Sequence, residues 1–316
     1  MRIVHGLDEF PAQGGNSVLA LGTFDGLHVG HQKVIGEAVA RAGEVGLRSA
    51  AVTFDPHPLE ILRPSAEPIL LTTLEERLPL LERLGVDLAV VLGFDLAFSM
   101  TPAQVWLDEI LARRLGARVI FVGSSYTFGH RREGTAARLA EWGRAHGVEV
   151  HLVPAALVRG EPVSSSRVRS ALREGLVDEA AHLLGRYYRV LGRVVPGQGR
   201  GRTIGFPTAN LQWPSPRKIL PGRGVYATIV EAGGRRYSGA TNIGYRPTFG
   251  GGDLSLETHV LDYDGSLVDE PMGVEFVARI RAERAFPNAA ALTAQIREDV
   301  GRARELLAGA RPSIIR

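Results

Sequence analysis

Within Gly22-Thr23-Phe24-Asp25-Gly26-Leu27-His28-Val29-Gly30-His31, two histidines stand three residues apart with a glycine between them. At that spacing on a helix start both imidazoles share one face, one turn apart, and can give two donors to a single anionic centre. Gly30 lets the backbone come close to that centre. Such a pair suits charge stabilisation at a phosphorus atom rather than proton abstraction. The segment follows the apolar run Ser17-Val18-Leu19-Ala20-Leu21 and opens a helical pattern. It therefore occupies a strand–loop–helix corner, where free backbone N–H groups and the positive helix end attract phosphate. Taken alone, His-x-x-His is more often a solvated surface pair. Zinc fits worse, since no third ligand follows at a usual spacing.

Further segments join this corner. Val163-Ser164-Ser165-Ser166-Arg167-Val168-Arg169 offers three hydroxyls and two arginines at the start of a short helix, a second anion site. Thr53-Phe54-Asp55-Pro56-His57-Pro58, Phe94-Asp95-Leu96-Ala97-Phe98 and Gly123-Ser124-Ser125-Tyr126-Thr127-Phe128-Gly129 each follow an expected strand. Phe54, Phe94, Phe98 and Phe128 taken singly would be core. Their joint occurrence at successive strand ends points instead to one ligand-binding edge, where a triphosphate could touch both the His pair and the Ser/Arg segment.

The second chemistry-bearing stretch runs from Gly192 to Asn210. Its glycines, Gly199, Gly201 and Gly205 among them, allow tight turns and close approach to phosphate, although no Gly-Lys-Ser/Thr follows and it is not a P-loop. Thr208 and Asn210, two apart, are hard oxygen donors suited to Mg²⁺. Glu257 and His259 share the strand face opposite Leu256, Thr258 and Val260. A carboxylate there is usually solvated; it is also placed to act as a base.

These residues need two kinds of scaffold. In the first half, strands are expected at Val18–Gly22, Ala50–Phe54, Leu88–Leu92, Arg118–Gly123 and Val148–Val153. Helices are expected at Gln32–Val45, Thr73–Leu84, Pro102–Leu115 and Thr135–His146, with Thr101-Pro102 as a cap and first-turn pair. Nearly all-apolar strands separated by helices mean a doubly wound α/β parallel sheet, Rossmann-like, with ligands at the carboxyl ends of its strands. From about Tyr187 the period changes to two. Val225–Glu231 and Arg235–Thr241 read as a hairpin around Gly233-Gly234, and the pattern fits an antiparallel barrel closed by a C-terminal helix, Ala289–Ala308. The boundary is expected near Gly185-Arg186, giving domains 1–185 and 186–316.

Composition sets outer limits. The chain has 316 residues, 45% apolar and 22% charged, an ordinary globular balance for two domains. Cysteine is absent, which excludes disulfides, thiolate catalysis and zinc-thiolate sites. The N-terminus lacks a signal-peptide core and no apolar run reaches the length of a membrane span, so a cytoplasmic location is expected, with no membrane partner. Net charge is +3, and the arginines are scattered among acids, so no nucleic-acid partner is implied.

The segments Gly22–His31, Thr53–Pro58 and Val163–Arg169 resemble the nucleotidylyl transferases of the His-x-Gly-His class. In order and detail they are similar to the adenylyltransferase half of the bacterial bifunctional riboflavin kinase/FAD synthetase family. The resemblance implies transfer of AMP from ATP to FMN with release of pyrophosphate. His28 and His31 would stabilise charge on the α-phosphate. Gly22, Phe24, Asp25, Gly30, Ser164, Ser165, Ser166 and Arg167 would bind nucleotide and phosphate. Phe54, His57, Pro58, Ser125 and Thr127 would face the flavin. FMN already carries an anionic nucleophile, so positioning and electrostatics suffice. One departure is Ser125-Tyr126, where the family usually has Asn or Asp followed by Phe.

The segments Gly205-Phe206-Pro207-Thr208-Ala209-Asn210, Gly224-Val225-Tyr226-Ala227, Asn242-Ile243-Gly244-Tyr245-Arg246-Pro247-Thr248-Phe249 and Glu257-Thr258-His259 resemble the riboflavin kinase module. The resemblance implies a split β-barrel that phosphorylates riboflavin with MgATP. Thr208 and Asn210 would hold Mg²⁺, Glu257 would be the base, Gly199, Gly201 and Gly205 would cradle phosphate, and Arg281 would contact flavin. Departures are Leu267-Val268-Asp269 in place of Leu-Tyr-Gly, Gln198 in place of Asp, and Tyr187 in place of Pro. Together the resemblances imply an enzyme that makes FMN and then FAD, with riboflavin, FMN and ATP as its ligands. The alternatives are a chain with one active half, the kinase, and a flavin-binding protein without turnover.

Overall fold

Alternate residues of the four central N-terminal strands enter opposite cores, which is why those strands read as largely apolar runs. The computed structural model describes residues 1–10, 16–64, 69–197, 199–245 and 254–310. Gln198 and the Arg246–Phe249 part of the kinase-like motif lie outside them. Six strands, β1 (Arg2–His5), β2 (Ser17–Leu21), β3 (Arg48–Phe54), β4 (Leu88–Leu92), β5 (Ala117–Gly123) and β6 (Glu149–Val153), form one parallel sheet in the order β1-β4-β3-β2-β5-β6. Leu19, Leu21, Val52, Val90 and Ile120 pack on one face with Trp106, Leu111 and Leu139. Val18, Ala20, Ala51, Ala89 and Phe121 pack on the other with Val34, Ile35 and Ala38 of helix α1 (Val29–Val45). A sheet covered on both faces demands such runs.

The chain moves from β2 to β3 to β4 in one direction, then crosses back to place β5 on the other side of β2. The order reverses beside β2, and ligands of such sheets bind beyond the strand ends at that point. The Gly22–His31 segment leaves β2 there.

Some expectations need correction. Strand β1 was not anticipated; it is four residues long, pairs in parallel with β4 and leaves Ile3 41% exposed. Thr101 does not cap the third helical region. Pro102 takes the cap position in extended conformation, and the carboxylate of Glu133 accepts the Ala103 N–H at 2.7 Å. From Trp106 to Arg114 the helix widens to bonds five residues apart, as in Leu115 N–H to the Ile110 carbonyl at 2.9 Å. By contrast, Thr73 and Thr135 do cap the helices α2 (Leu74–Arg83) and α3 (Ala136–His146).

The second fold is a closed antiparallel barrel of β7 (Tyr188–Val195), β8 (Ala209–Gln212), β9 (Gly224–Ala232), β10 (Arg235–Tyr245), β11 (Leu254–Val260) and β12 (Pro271–Arg281), ordered β7-β8-β11-β10-β9-β12 and closed by β12 on β7. Gly233-Gly234 is the turn between β9 and β10. The terminal helix Ala289–Ala308 packs on the barrel, with Ala303 against Ala227 and Leu261. Inside the barrel the hydroxyls of Thr228, Thr241 and Thr258, all fully buried, form a ladder at 2.8 and 2.9 Å across β9, β10 and β11. A one-residue slip would leave these hydroxyls unsatisfied, so the ladder locks the register. The compact units divide between Ser165 and Ser166. The helices Ser165–Arg173 and Val177–Leu184, upstream of the boundary expected near 185, thus group almost wholly with the barrel.

Candidate functional site

His28 is the N-cap of α1. Its Nδ1 accepts the His31 N–H at 3.2 Å, and the two rings stack with centroids 3.7 Å apart. An accepting Nδ1 leaves the proton of the neutral ring on Nε2, so the cap fixes the tautomer and presents Nε2–H as a donor. The bare α-carbon of Gly30 makes room for this: a Cβ there would lie 3.1 Å from His28 Nδ1. Phe24, buried, meets His31 edge-on at 5.4 Å. The His pair is therefore held by the helix start, by Gly30 and by Phe24.

Asp25 is used differently from the phosphate contact expected of it. The carboxylate is fully buried and accepts the N–H groups of Leu71 at 3.0 Å and Thr72 at 2.9 Å. A carboxylate turned to backbone amides anchors the loop. Thr72 Oγ1 in turn accepts the Gly26 N–H at 2.9 Å. Ser165 Oγ donates to the Asp25 carbonyl at 3.1 Å, which brings the Ser motif to the phosphate loop. Ser164 is exposed beside it. Ser166 and Arg167 fall past the division into the second unit, where Arg167 Nη2 pairs with Glu179 at 2.6 Å.

Gly22 leaves β2 with its N–H on the Val52 carbonyl. At the end of β3, Phe54 lies half-buried against Phe94 and Phe98 at 5.7 and 5.8 Å, whereas Phe128, expected at the same edge, is buried in the core with Trp106 and Leu139. His57 is buried as the N-cap of the helix Pro58–Leu62, with Nδ1 accepting the Leu59 N–H. Ser125 is exposed, while burial pushes the titration of the Tyr126 hydroxyl above its ordinary range. Thr127 accepts a bond from Arg132 Nε at 2.9 Å.

In the barrel, Asn210 stands directly opposite Glu257 across β8 and β11, and Asn242 stands opposite Glu257 on its other side. Facing residues on one side of a sheet have Cβ atoms about 5 Å apart. Thr208 and Asn210 line a cavity of ≈ 280 Å³ together with Gly197, Gly199, Arg202, Leu267 and Val268. Gly201 and Gly205 shape the turn before it, with the Phe206 N–H on the Gly201 carbonyl. A Cβ on Gly197 would fall 2.0 Å from Asn210 Nδ2. His259, the other ionisable group on the Glu257 face, donates through Nδ1 to the Pro207 carbonyl at 2.8 Å and meets Phe206 edge-on, so it pins the loop ahead of Thr208. Asp269 adopts φ +66°, which explains why glycine suits that position. Arg281, expected at the flavin, is committed to the terminal helix: its guanidinium forks onto Asp299 at 2.8 and 2.9 Å.

The residue that sequence reasoning missed is Arg77. On a helix of alternating charges it reads as solvated, yet it is 1% exposed and bonded to Thr53 and Thr72.

The family model for FAD synthetase matches residues 11–167, and that for riboflavin kinase matches 184–307. The "Bifunctional riboflavin kinase/FMN adenylyltransferase" of Bacillus subtilis is 38% identical over 289 residues, covering 90% of each chain. That of Pseudomonas fluorescens is 37% identical over 309 residues, covering 98% of each. A solved structure from Streptococcus pneumoniae, named as a macrolide-efflux protein, is 31% identical, covers 96% of this chain and 99% of its own, and matches with a TM-score of 0.87. No helix among the described residues here is long and apolar enough to cross a membrane. Both sets of motifs, on their two folds, and full-length identity of this degree place the chain in the bifunctional riboflavin kinase/FMN adenylyltransferase family.

Proposed function

We propose that the chain phosphorylates riboflavin to FMN in its barrel and joins AMP to FMN in its α/β unit, consuming one ATP in each step. The observation that carries the reading is the pairing of Glu257 with Asn210 beside the cavity that Thr208 lines. It puts a carboxylate next to hard oxygen donors, as phosphoryl transfer to an alcohol requires.

In the kinase step Glu257 takes the proton of the riboflavin 5′-hydroxyl as its oxygen bonds to the γ-phosphorus of ATP, and ADP departs. The donors fit Mg²⁺: Thr208 and Asn210 carry neutral oxygens, and the cavity they line has room for phosphate oxygens and water. Among the described residues no cluster of three acidic or imidazole groups offers a rival metal site. When bound, the ion neutralises charge on the β- and γ-phosphates. Thr208 and Asn210 would hold it, and His259 fixes their loop through Pro207.

In the transfer step a phosphate oxygen of FMN bonds to the α-phosphorus of the second ATP, and the bond to pyrophosphate breaks. No proton needs to move. His28 Nε2–H and His31 stabilise the charge that builds on the α-phosphate, with Ser164 and Ser165 on the nucleotide phosphates. The Phe54–Phe94–Phe98 edge offers an apolar wall to the isoalloxazine ring. A division of labour as 1–185 and 186–316, in the cytoplasm where ATP and riboflavin meet, fits this reading.

The test is direct. Incubation with riboflavin, ATP and Mg²⁺ should give FMN and then FAD by chromatography. FMN without FAD would leave a kinase alone, and unchanged riboflavin would leave a binding protein.

A further inference from the structure

Arg77 is a buried cation with no carboxylate in hydrogen-bond contact among the described residues. Burial pulls its pKa below the ordinary range, while Asp25, Asp55, Glu60 and Glu76 act on it only through space. Its bonds go to neutral groups: Nη1 donates to Thr53 Oγ1 at 2.9 Å and to the Phe54 carbonyl at 3.0 Å, and Nη2 to the Thr72 carbonyl at 3.4 Å. Nε has no partner among the described residues. A guanidinium removed from water on these terms is costly, and an apolar side chain would fill the same space more cheaply.

Two of the three partners of Arg77, Thr53 and Thr72, are one step from the loop that carries the His pair. Thr53 Oγ1 accepts from Arg77 and donates to the Thr23 carbonyl at 2.8 Å. Thr72 accepts from Arg77 through its carbonyl, holds the Gly26 N–H through its hydroxyl and gives its own N–H to Asp25. The loop needs external support. Phe24 and Leu27 sit at φ +49° and +37°, which bulky side chains disfavour.

We propose that Arg77 is a positioning residue for adenylyl transfer: acting through Thr53 and Thr72, it holds the Gly22–His28 loop, and with it the His pair, in place at the end of β2. The proposal rests on the reading of the N-terminal unit as the FMN adenylyltransferase. Wild-type chain that makes no FAD from FMN would sink that reading, whatever the variants do.

The test uses the full chain, with FMN and MgATP. Thr53→Val keeps the shape and removes the relay, and Thr53→Ser restores it. Arg77→Lys keeps charge and loses the fork. Misplacement of reacting groups by an ångström costs about 100-fold. We expect kcat for FAD formation to fall roughly 10-fold in Thr53→Val and roughly 10- to 100-fold in Arg77→Lys, with KM for ATP and the thermal midpoint little moved. Thr53→Ser should recover most of the rate, and riboflavin phosphorylation should stay at the wild-type level throughout. Wild-type kcat in Thr53→Val and Arg77→Lys overturns the proposal. So does a loss that tracks a falling thermal midpoint, or one that serine does not rescue, since either would mark the network as packing alone.

Discussion

Asn210 and Glu257 occupy facing positions on neighbouring antiparallel strands of the barrel, forty-seven residues apart in sequence. The candidate base and one candidate metal ligand are thus fixed by a single register. Replacement of Glu257 by Gln keeps shape and hydrogen bonding and removes the base. A general base contributes about 10²–10⁴-fold, so riboflavin phosphorylation should fall by that much. Riboflavin binding and FAD formation from supplied FMN should survive. A near-normal phosphorylation rate would return the role to His259, although its Nδ1 is committed to Pro207.

Loss of both imidazoles, His28→Ala with His31→Ala, should abolish FAD formation and leave FMN formation intact. The His pair belongs wholly to the unit before Ser166. Removing the His28 cap also costs the start of α1 about 1 kcal/mol, so the melting curve needs recording alongside the two rates. Loss of FMN formation in a folded variant would show that the two reactions are not separable.

Gly197→Ala should silence the kinase. The added methyl carbon would lie 2.0 Å from the Asn210 amide, which is buried and has little room to retreat. We expect a loss of FMN formation of about 10²-fold, from displacement of a positioned group. FAD formation from FMN should be untouched. Full kinase activity in this variant would mean that Asn210 does not hold metal or phosphate in its observed position.

Ser125→Asn tests whether the exposed serine limits adenylyl transfer. An amide could regain one hydrogen bond to a charged ligand, worth about 1.5–3 kcal/mol at most, and so raise the rate or lower KM for FMN. An unchanged FAD rate would show that neighbouring groups already supply the contact.

Arg281 should prove to be a stability residue. Its pair with Asp299 joins β12 to the terminal helix, and the Asp299 side chain is 4% exposed. Breaking a buried pair from one side costs about 3–5 kcal/mol, and Asp299→Ala should approach the lower end of that range because Arg281 keeps some contact with water. Denaturant unfolding measures it. If Arg281→Met instead leaves stability intact and raises KM for riboflavin, the flavin contact stands.

Much of this protein is written locally. The apolar runs of β2 to β5 announce a sheet covered on both faces, because each of these strands must feed two cores. Period two in Leu256, Thr258 and Val260 announces the barrel wall. The ends of the terminal helix at Ala289 and Ala308 follow from Asn288 as cap and from Gly309, with Pro312 beyond it in the sequence. The His pair, Thr208, Asn210 and Glu257 are visible because residue type and spacing alone suggest their chemistry. Tertiary structure decides where polar groups turn and which strangers meet. Asp25 looks like a phosphate contact until Leu71 and Thr72 arrive to bury it; Arg281 looks available until Asp299 takes its fork. Arg77 looks solvated until the end of β3 and the Thr72 carbonyl bury it, and β1 exists only because β4 offers it an edge. The physical reason is the same in each case. Periodicity reports which face of an element is dry, whereas the partner of a buried charge is set by strand register and by segments brought in from far along the chain.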